Sequence, residues 1–405
     1  MAIAIVQPLL HRTIRRIWTG QVLAAIGTQL YSVALLWTAV GILGPDAGYL
    51  ATLQAAAVLF GSLLGGALTD GWHPKLTLVA ADLARGAAVL ALPLGQALGG
   101  MSAALLVAVA LTVGVMTGCF EPTLQAVLMP LAPERGLRHA TNGLFDATRR
   151  LARIAGPALV FLVHQAVSTI YFFVVTAATF AASAAAIAGS AIAARGSEHR
   201  GAGGAIDPVI AGFRALRGRP LLIYALCSSA VANVAWAGGY LFGMALVFHD
   251  ERAESLTGYS LMACAYGAGN LVSNVVLAGR PPAGAARWII ASRLIFGGGL
   301  VLLSCGLPLP WLMLVAAVTA VNGPLADLAA LHLLQSSLPA SLLVHAFRAQ
   351  TCIVWSGMLV GYLIAPQLLR WLPTSSMIAL LGVITAVAGL AGLAFVSPRE
   401  RSCAG

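Results

Sequence analysis

The segment from Ala103 to Leu131 has the sequence AALLVAVALTVGVMTGCFEPTLQAVLMPL and contains one charged residue, Glu121. A helix needs about 20 predominantly apolar residues to cross a bilayer, so this segment is long enough to do so. A transmembrane barrel strand would be about 10 residues long and would alternate apolar with polar side chains. The segment therefore predicts a membrane-spanning helix, and similar segments recur along the chain.

The composition of the whole chain supports the same interpretation. Of 405 residues, 60% are hydrophobic and 9% are charged, whereas soluble domains carry roughly 25% charged residues. In lipid every backbone polar group needs an internal partner, which favours helices. The net charge of +10 comes from short basic clusters between apolar runs. Such clusters are typical of cytoplasmic loops beside anionic lipid, so we expect no nucleic-acid partner.

Twelve apolar segments predict an all-α membrane protein with twelve transmembrane helices. The predicted helices are Ile17–Leu43, Tyr49–Thr69, Leu76–Leu98, Ala103–Leu131, Ala140–His164, Ile170–Ala194, Pro220–Val247, Thr257–Gly279, Arg287–Gly306, Trp311–Ser337, His345–Leu369 and Ser376–Val396. The basic residues Arg12, Arg15 and Arg16 precede the first helix. By the positive-inside rule, this predicts both termini in the cytoplasm of a bacterial-type inner membrane.

The chain also divides into two similar halves. The longest polar stretch, residues 195–219, predicts a cytoplasmic linker between a first half (1–194) and a second half (220–405). Gly48-Tyr49 corresponds to Gly258-Tyr259, and Glu121-Pro122 corresponds to Gly323-Pro324, at a shift slightly above 200 residues. The alternative is that composition bias produces these matches. A duplicated six-helix unit is how secondary transporters place a substrate site between two halves.

A glycine-rich segment follows the second helix and ends in a short charged loop. Gly65 and Gly66 permit close helix packing, and Asp70 and Lys75 follow at the predicted inner edge of the membrane. We predict a gating role for Asp70, with Arg348 as its partner in the second half, and for Lys75 and Arg149. The segment resembles the signature loop of the major facilitator superfamily, although Gly71 and Pro74 replace its usual basic residues.

Further motifs are similar to one branch of that superfamily, which includes the enterobactin exporter and macrolide efflux proteins. They are Phe120–Thr123, Pro133–Arg135, Ala140–Asn142, Gly156-Pro157 and Ala211–Leu216. The resemblance implies the major facilitator fold, two pseudo-symmetric six-helix halves and alternating access. It also implies proton-coupled export of a siderophore-like or drug-like molecule.

Ionisable residues inside predicted membrane helices are candidates for proton coupling, because each is costly to bury. The candidates are Glu121, Asp82 and Asp327. Glu121 stands alone in a long apolar stretch, and an isolated carboxylate in a low-dielectric environment favours its neutral form. Asp82 and Arg85 lie three residues apart, so they share a helix face. For Asp82, an ion pair that locks helices together is the alternative; for the other two, it is hydrogen bonding between helices.

Polar and aromatic side chains in several helices are candidates to line a substrate cavity. They are Arg85, Gln125, Gln29, Tyr31, Asn233, Trp236, Tyr240, Tyr266 and Asn270. Asn233, Trp236 and Tyr240 follow a helical spacing that places them on one face. Packing between helices is the alternative role for each set.

Taken together, these patterns predict a secondary transporter that binds a small molecule, lies in a lipid bilayer and is a monomer. We expect no metal and no cofactor, with the proton gradient as driving force, because the sequence contains no phosphate-binding loop. An importer with the same fold is the first alternative. A membrane-embedded enzyme is the second, but no clustered His/Asp/Ser constellation supports it.

Overall fold

The computed structural model describes residues 7–68, 72–132, 135–164, 166–192, 210, 212–214, 216–252, 255–277, 284–338 and 340–395. All regular elements within these ranges are helices. The chain divides into two compact units, Met1–Ala202 and Gly203–Gly405. Residues 193–209 of the predicted linker lie outside the described residues.

Each unit contains six long helices, numbered here in chain order. Unit 1 contains α1 (Arg12–Leu43), α2 (Ala47–Leu68), α3 (Pro74–Ala97), α4 (Ala103–Leu131), α5 (Arg135–Val163) and α6 (Ile170–Ala188). Unit 2 contains α7 (Pro220–Glu251), α8 (Ser255–Leu277), α9 (Ala285–Leu303), α10 (Leu309–Ser337), α11 (Ala340–Leu369) and α12 (Thr374–Leu390). The predicted fold of twelve helices is therefore confirmed.

The two units repeat the same packing arrangement. In unit 1, α1 packs on α5 and α6, α2 packs on α4, and α3 packs on α4 and α6. In unit 2, α7 packs on α11 and α12, α8 packs on α10, and α9 packs on α10 and α12. Every pair in one unit has its counterpart six helices later in the other. The repeat inferred from scattered Gly, Pro and Arg matches is thus also a repeat of helix neighbours.

The length and hydropathy of these helices fit a membrane protein. In the described part of the chain, ten helical ranges are long and apolar enough to cross a bilayer. One of them, Arg12–Ser62, contains both α1 and most of α2. Helix α5 is not among the ten, because it carries Arg138, Asp146, Arg149, Arg150 and Arg153. Its charges point to a role beyond spanning the membrane.

Several predicted helix boundaries are wrong by about one turn. Helices α1, α5 and α11 begin five residues before their predicted starts, at Arg12, Arg135 and Ala340. In each case a polar or charged first turn is helical, although it is not apolar. Hydropathy alone therefore places these starts too late, because charged side chains at a helix end remain exposed while the backbone continues its hydrogen bonding.

Two helices depart from regular α-helical geometry. Helix α10 is interrupted between Thr319 and Asn322. Pro324 lacks the N–H group that would bond to the carbonyl of Ala320, which weakens the helix there. Helix α7 is π-helical over Trp236–Gly243 and again over Val247–Glu251. π-Helical segments are rare and often occur at functional sites.

Candidate substrate cavity

Unit 1 contains a cavity of about 670 Å³ between α1, α4 and α5. Its lining residues are Gln21, Ala24, Ala25, Thr28, Gln29, Arg85, Phe120, Glu121, Leu124, Phe145, Thr148, Arg149, Ala152 and Arg153. On both α1 and α5 these residues follow the spacing of zero, three, four, seven and eight positions that defines one helix face. The wall combines apolar and polar side chains, as expected of a site for an organic molecule.

Glu121 and Arg149 face each other across this cavity. Their carboxylate and guanidinium groups are 3.5 Å apart, and the two side chains are 48% and 40% exposed. The interpretation of Glu121 as a lone carboxylate is therefore wrong, because a cation from α5 lies beside it. The interaction is long and solvent-accessible, so it is weak and exchangeable.

The other charges of α5 are distributed unevenly. Asp146 pairs with Arg150 at 2.7 Å and approaches Arg149 at 4.0 Å. Arg153 is exposed and lines the cavity one turn after Arg149. Among the described residues no ion pair involves Arg153. The cavity wall carries three arginines, Arg85, Arg149 and Arg153, but a single carboxylate, Glu121.

Arg85 is buried at one side of the cavity, where α3 meets α4 and α6. Its guanidinium pairs with Asp82 one turn earlier in α3. It also lies 4.4 Å from the ring centre of Phe120 and 4.5 Å from that of Phe180. Asp82 is fully buried, and its Oδ2 atom has no hydrogen-bond partner in the described part of the chain. The predicted pair between Asp82 and Arg85 is present and lies in the interior of unit 1.

In unit 2 the structure brings three predicted cavity residues together as an aromatic cluster. The rings of Trp236 and Tyr240 stack at 4.7 Å with an angle of 6°. The ring of Tyr266 on α8 lies 4.7 Å from each of them. The cluster lies on the π-helical segment of α7, and Tyr240 is buried with an unpartnered hydroxyl group. Its packed rings leave no large cavity among the described residues, which fits the packing alternative.

Unit 2 also holds a buried arginine, Arg293 on α9. Its guanidinium donates to Oδ1 of Asn322 at 3.1 Å and to Oγ of Ser228 at 3.4 Å. Arg293 and the exposed Asp327 line the same small cleft of about 270 Å³, together with Gln350. The predicted proton-coupling residue Asp327 therefore lies beside a buried cation, although sequence analysis did not select Arg293.

The remaining cavity candidates serve other contacts. Tyr31 is buried between α1 and its neighbours, 3.5 Å from Gln54 and edge-on to Phe173. Asn233 donates to the carbonyl of Ser229 in its own helix, and Asn270 donates to the carbonyl of Ala320 at the break in α10. Gln125 is half-buried on α4 and is not a lining residue. Only Gln29 and Arg85, of the nine candidates, line the large cavity of unit 1.

The predicted gating residues are described only in part. Asp70 lies outside the described residues, and so does the side chain of Arg348 in α11. The ammonium of Lys75 donates to the carbonyl of Ser190 at 3.0 Å, just after α6 ends. Arg16 donates to the neighbouring carbonyl of Gly189 at 2.6 Å. These two cations cap the end of α6 and connect it to α1 and α3.

Two signals in the sequence could have identified the residues that were missed. Arg293 follows Arg85 by 208 positions, within the shift that relates the other repeat matches. Thr28, Phe145, Thr148 and Arg153 share helix faces with Gln21, Gln29 and Arg149. Extending each polar stripe by one turn would have outlined the cavity wall.

The duplicated six-helix unit, the apolar helices and the polar cavity define a polytopic membrane transporter. The family model of the Major Facilitator Superfamily matches residues 17–353. The chain therefore belongs to the Major Facilitator Superfamily. No curated protein matches the sequence significantly.

Solved structures of other transporters have the same fold at low sequence identity. A POT family transporter in complex with a thioalcohol-conjugated peptide has a TM-score of 0.74 and 11% identity, with 95% of this chain and 96% of that chain covered. The nucleoside transporter NupG has a TM-score of 0.74 and 10% identity, with 94% and 100% covered. A D-xylose-proton symporter has a TM-score of 0.71 and 12% identity, with 93% and 97% covered. These likenesses concern the fold.

Proposed function

We propose that this transporter exports a small organic molecule, siderophore-like or drug-like, by proton-coupled alternating access in a bacterial-type inner membrane. The observation that carries the proposal is the cavity of unit 1. Its volume of about 670 Å³ is in the range of small-molecule sites. Its wall combines apolar rings with ionisable groups, and Asp82 and Glu121 supply carboxylates for a proton. The outward direction rests on the resemblance to the exporter branch.

Import of a small metabolite by cotransport with a proton is the second candidate. The contact between Glu121 and Arg149 favours it. Protonation of Glu121 would release Arg149 to bind an anionic substrate, so the proton and the substrate would bind together. Export by exchange requires that they bind alternately. In an exporter of anions, the coupling carboxylate would therefore be Asp82 or Asp327 rather than Glu121.

Transport into membrane vesicles of both orientations tests direction and coupling together. We expect everted vesicles that contain the protein, energised by respiration, to accumulate a labelled catecholate siderophore, hydroxamate siderophore or macrolide. A protonophore should abolish this accumulation, as should Asp327→Asn if that carboxylate carries the proton. Accumulation only in right-side-out vesicles would reverse the direction. Accumulation that survives the protonophore would exclude proton coupling.

A further inference from the structure

We propose that the cavity of unit 1 is an anion site whose substrate is an amphiphilic organic acid, held by Arg149 and Arg153 on α5. This inference rests on the proposed function and specifies the chemical class of what is carried. It does not depend on the direction of transport. Three observations carry it: the charge balance of the wall, the position of the two arginines and the apolar surface opposite them.

The charge balance leaves one cation of the wall without a partner. Arg85 is compensated by Asp82, and Arg149 lies beside Glu121. Asp146 is engaged by Arg150 at 2.7 Å. Arg153 has no ion-pair partner among the described residues, although it lines the cavity. A cation in a low-dielectric region is costly without a counter-ion, so an anionic ligand would bind favourably there.

The two arginines are positioned to bind one anion together. Arg149 and Arg153 are four residues apart, so their side chains project from the same face of α5. Arginine presents a planar set of donors that matches a carboxylate in a bidentate geometry. Gln21, Gln29 and Thr28 on α1 line the same cavity and add uncharged hydrogen-bonding groups. A carboxylate can therefore be bound from α5 and oriented from α1.

The rest of the wall fits an apolar body attached to that acid group. Phe120 and Leu124 on α4, Phe145 on α5 and Ala24 and Ala25 on α1 line the cavity. Burying their surface with an apolar ligand contributes roughly 25 cal/mol per Å². An inorganic anion would leave this surface in water, so an organic acid with an aromatic or aliphatic body matches the site better.

Glu121 occupies the place of the substrate carboxylate when the cavity is empty. Its contact with Arg149 is long, and both groups are exposed, so a stronger acceptor can replace it. The charged groups around Glu121 are Arg149, Arg153 and Asp146 on α5 and Arg85 on α3, while α1 contributes uncharged lining residues. Neutralising Glu121 therefore leaves the arginines in excess and strengthens anion binding.

Equilibrium binding to the purified full-length protein in nanodiscs tests this site without measuring transport. The probes are three naphthalenes of similar size: 1-naphthoate, the neutral 1-naphthamide and the cationic 1-naphthylmethylammonium. We expect calorimetry to show binding of the naphthoate and about tenfold weaker binding of the other two, which corresponds to one charge-assisted hydrogen bond. Arg153→Gln and Arg149→Gln should each weaken naphthoate binding by about tenfold.

Matched variants separate charge from folding. Arg217→Gln, at an exposed arginine of unit 2, should leave naphthoate binding unchanged. Glu121→Gln should strengthen it and remove the rise in affinity that the parent shows as pH falls. Equal binding of all three probes, no binding of the naphthoate, or weaker binding by Glu121→Gln would overturn the anion site. None of these results decides the direction or coupling of transport, which the vesicle assays measure separately.

Discussion

Asn270 on α8 donates a hydrogen bond from its side-chain amide to the backbone carbonyl of Ala320 on α10, at 3.2 Å. Ala320 is fully buried, and Pro324 has no N–H group to bond to its carbonyl. The amide of Asn270 therefore replaces the missing helical hydrogen bond. This contact connects two helices at the break in α10 and explains why a polar residue is needed at that position of an otherwise apolar region.

We expect Asn270→Ala to lower the free energy of unfolding by about 1–3 kcal/mol, because it leaves a buried carbonyl without a partner. Asn274→Ala should cost less, since Asn274 bonds only within its own helix, to the backbone and side chain of Asn270. Denaturant unfolding in detergent, followed by circular dichroism, measures both. In a Pro324→Ala background the backbone regains a donor, so Asn270→Ala should become milder. An equal cost in both backgrounds would contradict this explanation.

The buried pair of Asp82 and Arg85 provides a second prediction. Asp82→Asn should destabilise unit 1 by roughly 3–5 kcal/mol, because it leaves a buried guanidinium without its counter-ion. The double variant Asp82→Leu with Arg85→Met should recover much of this loss, since replacing both members of a buried pair is often neutral. Thermal unfolding of the purified variants is the measurement. If the double variant is as unstable as Asp82→Asn, the loss does not come from an unpaired charge.

The sequence predicts the fold well because the relevant signals are local. Apolar length defines each span, and Gly, Pro and Arg positions reveal the repeat. The site is harder to predict, because it depends on which helix faces meet. Glu121 seems isolated along α4 only because Arg149 follows it by 28 positions. Asn270 and Tyr31 have the composition of cavity residues, yet they satisfy contacts between helices that no single helix shows.

A matched pair of tyrosines in unit 2 tests the aromatic cluster. Tyr240 is buried and its hydroxyl has no partner in the described part of the chain. Tyr240→Phe should therefore raise the free energy of unfolding by up to about 1–3 kcal/mol, the cost of a buried unsatisfied group. Tyr224 donates to the carbonyl of Gly389 at 2.9 Å. Tyr224→Phe should lower stability by about 0.5–1.5 kcal/mol, the net value of a hydrogen bond.

The opposite signs of these two changes make the comparison informative, and thermal unfolding in detergent measures both. If Tyr240→Phe is as destabilising as Tyr224→Phe, the Tyr240 hydroxyl has a functional or structural partner. Binding of substrate would be one such partner. In that case Tyr240→Phe would also weaken substrate binding, which Tyr224→Phe would not do.

The contact between α2 and α4 depends on a glycine on each side. A Cβ atom at Gly118 would collide with backbone atoms of Val58, Gly61 and Ser62, and one at Gly61 would collide with the backbone of Val115. This confirms the prediction that Gly61 permits close helix packing. In unit 2, Gly269 on α8 has the same relationship to the backbone of Ala317 on α10.

We therefore expect Gly118→Ala and Gly269→Ala each to lower the free energy of unfolding by about 1–3 kcal/mol, the usual cost of overpacking. Gly143→Ala is the control, because a Cβ atom there meets no other atom within 4 Å. It should stabilise α5 by up to about 1 kcal/mol, since alanine forms helices better than glycine. Unfolding curves of the three variants decide the matter. A stable Gly118→Ala protein would mean that α2 and α4 separate at little cost, and close packing would then not be what holds this helix pair together.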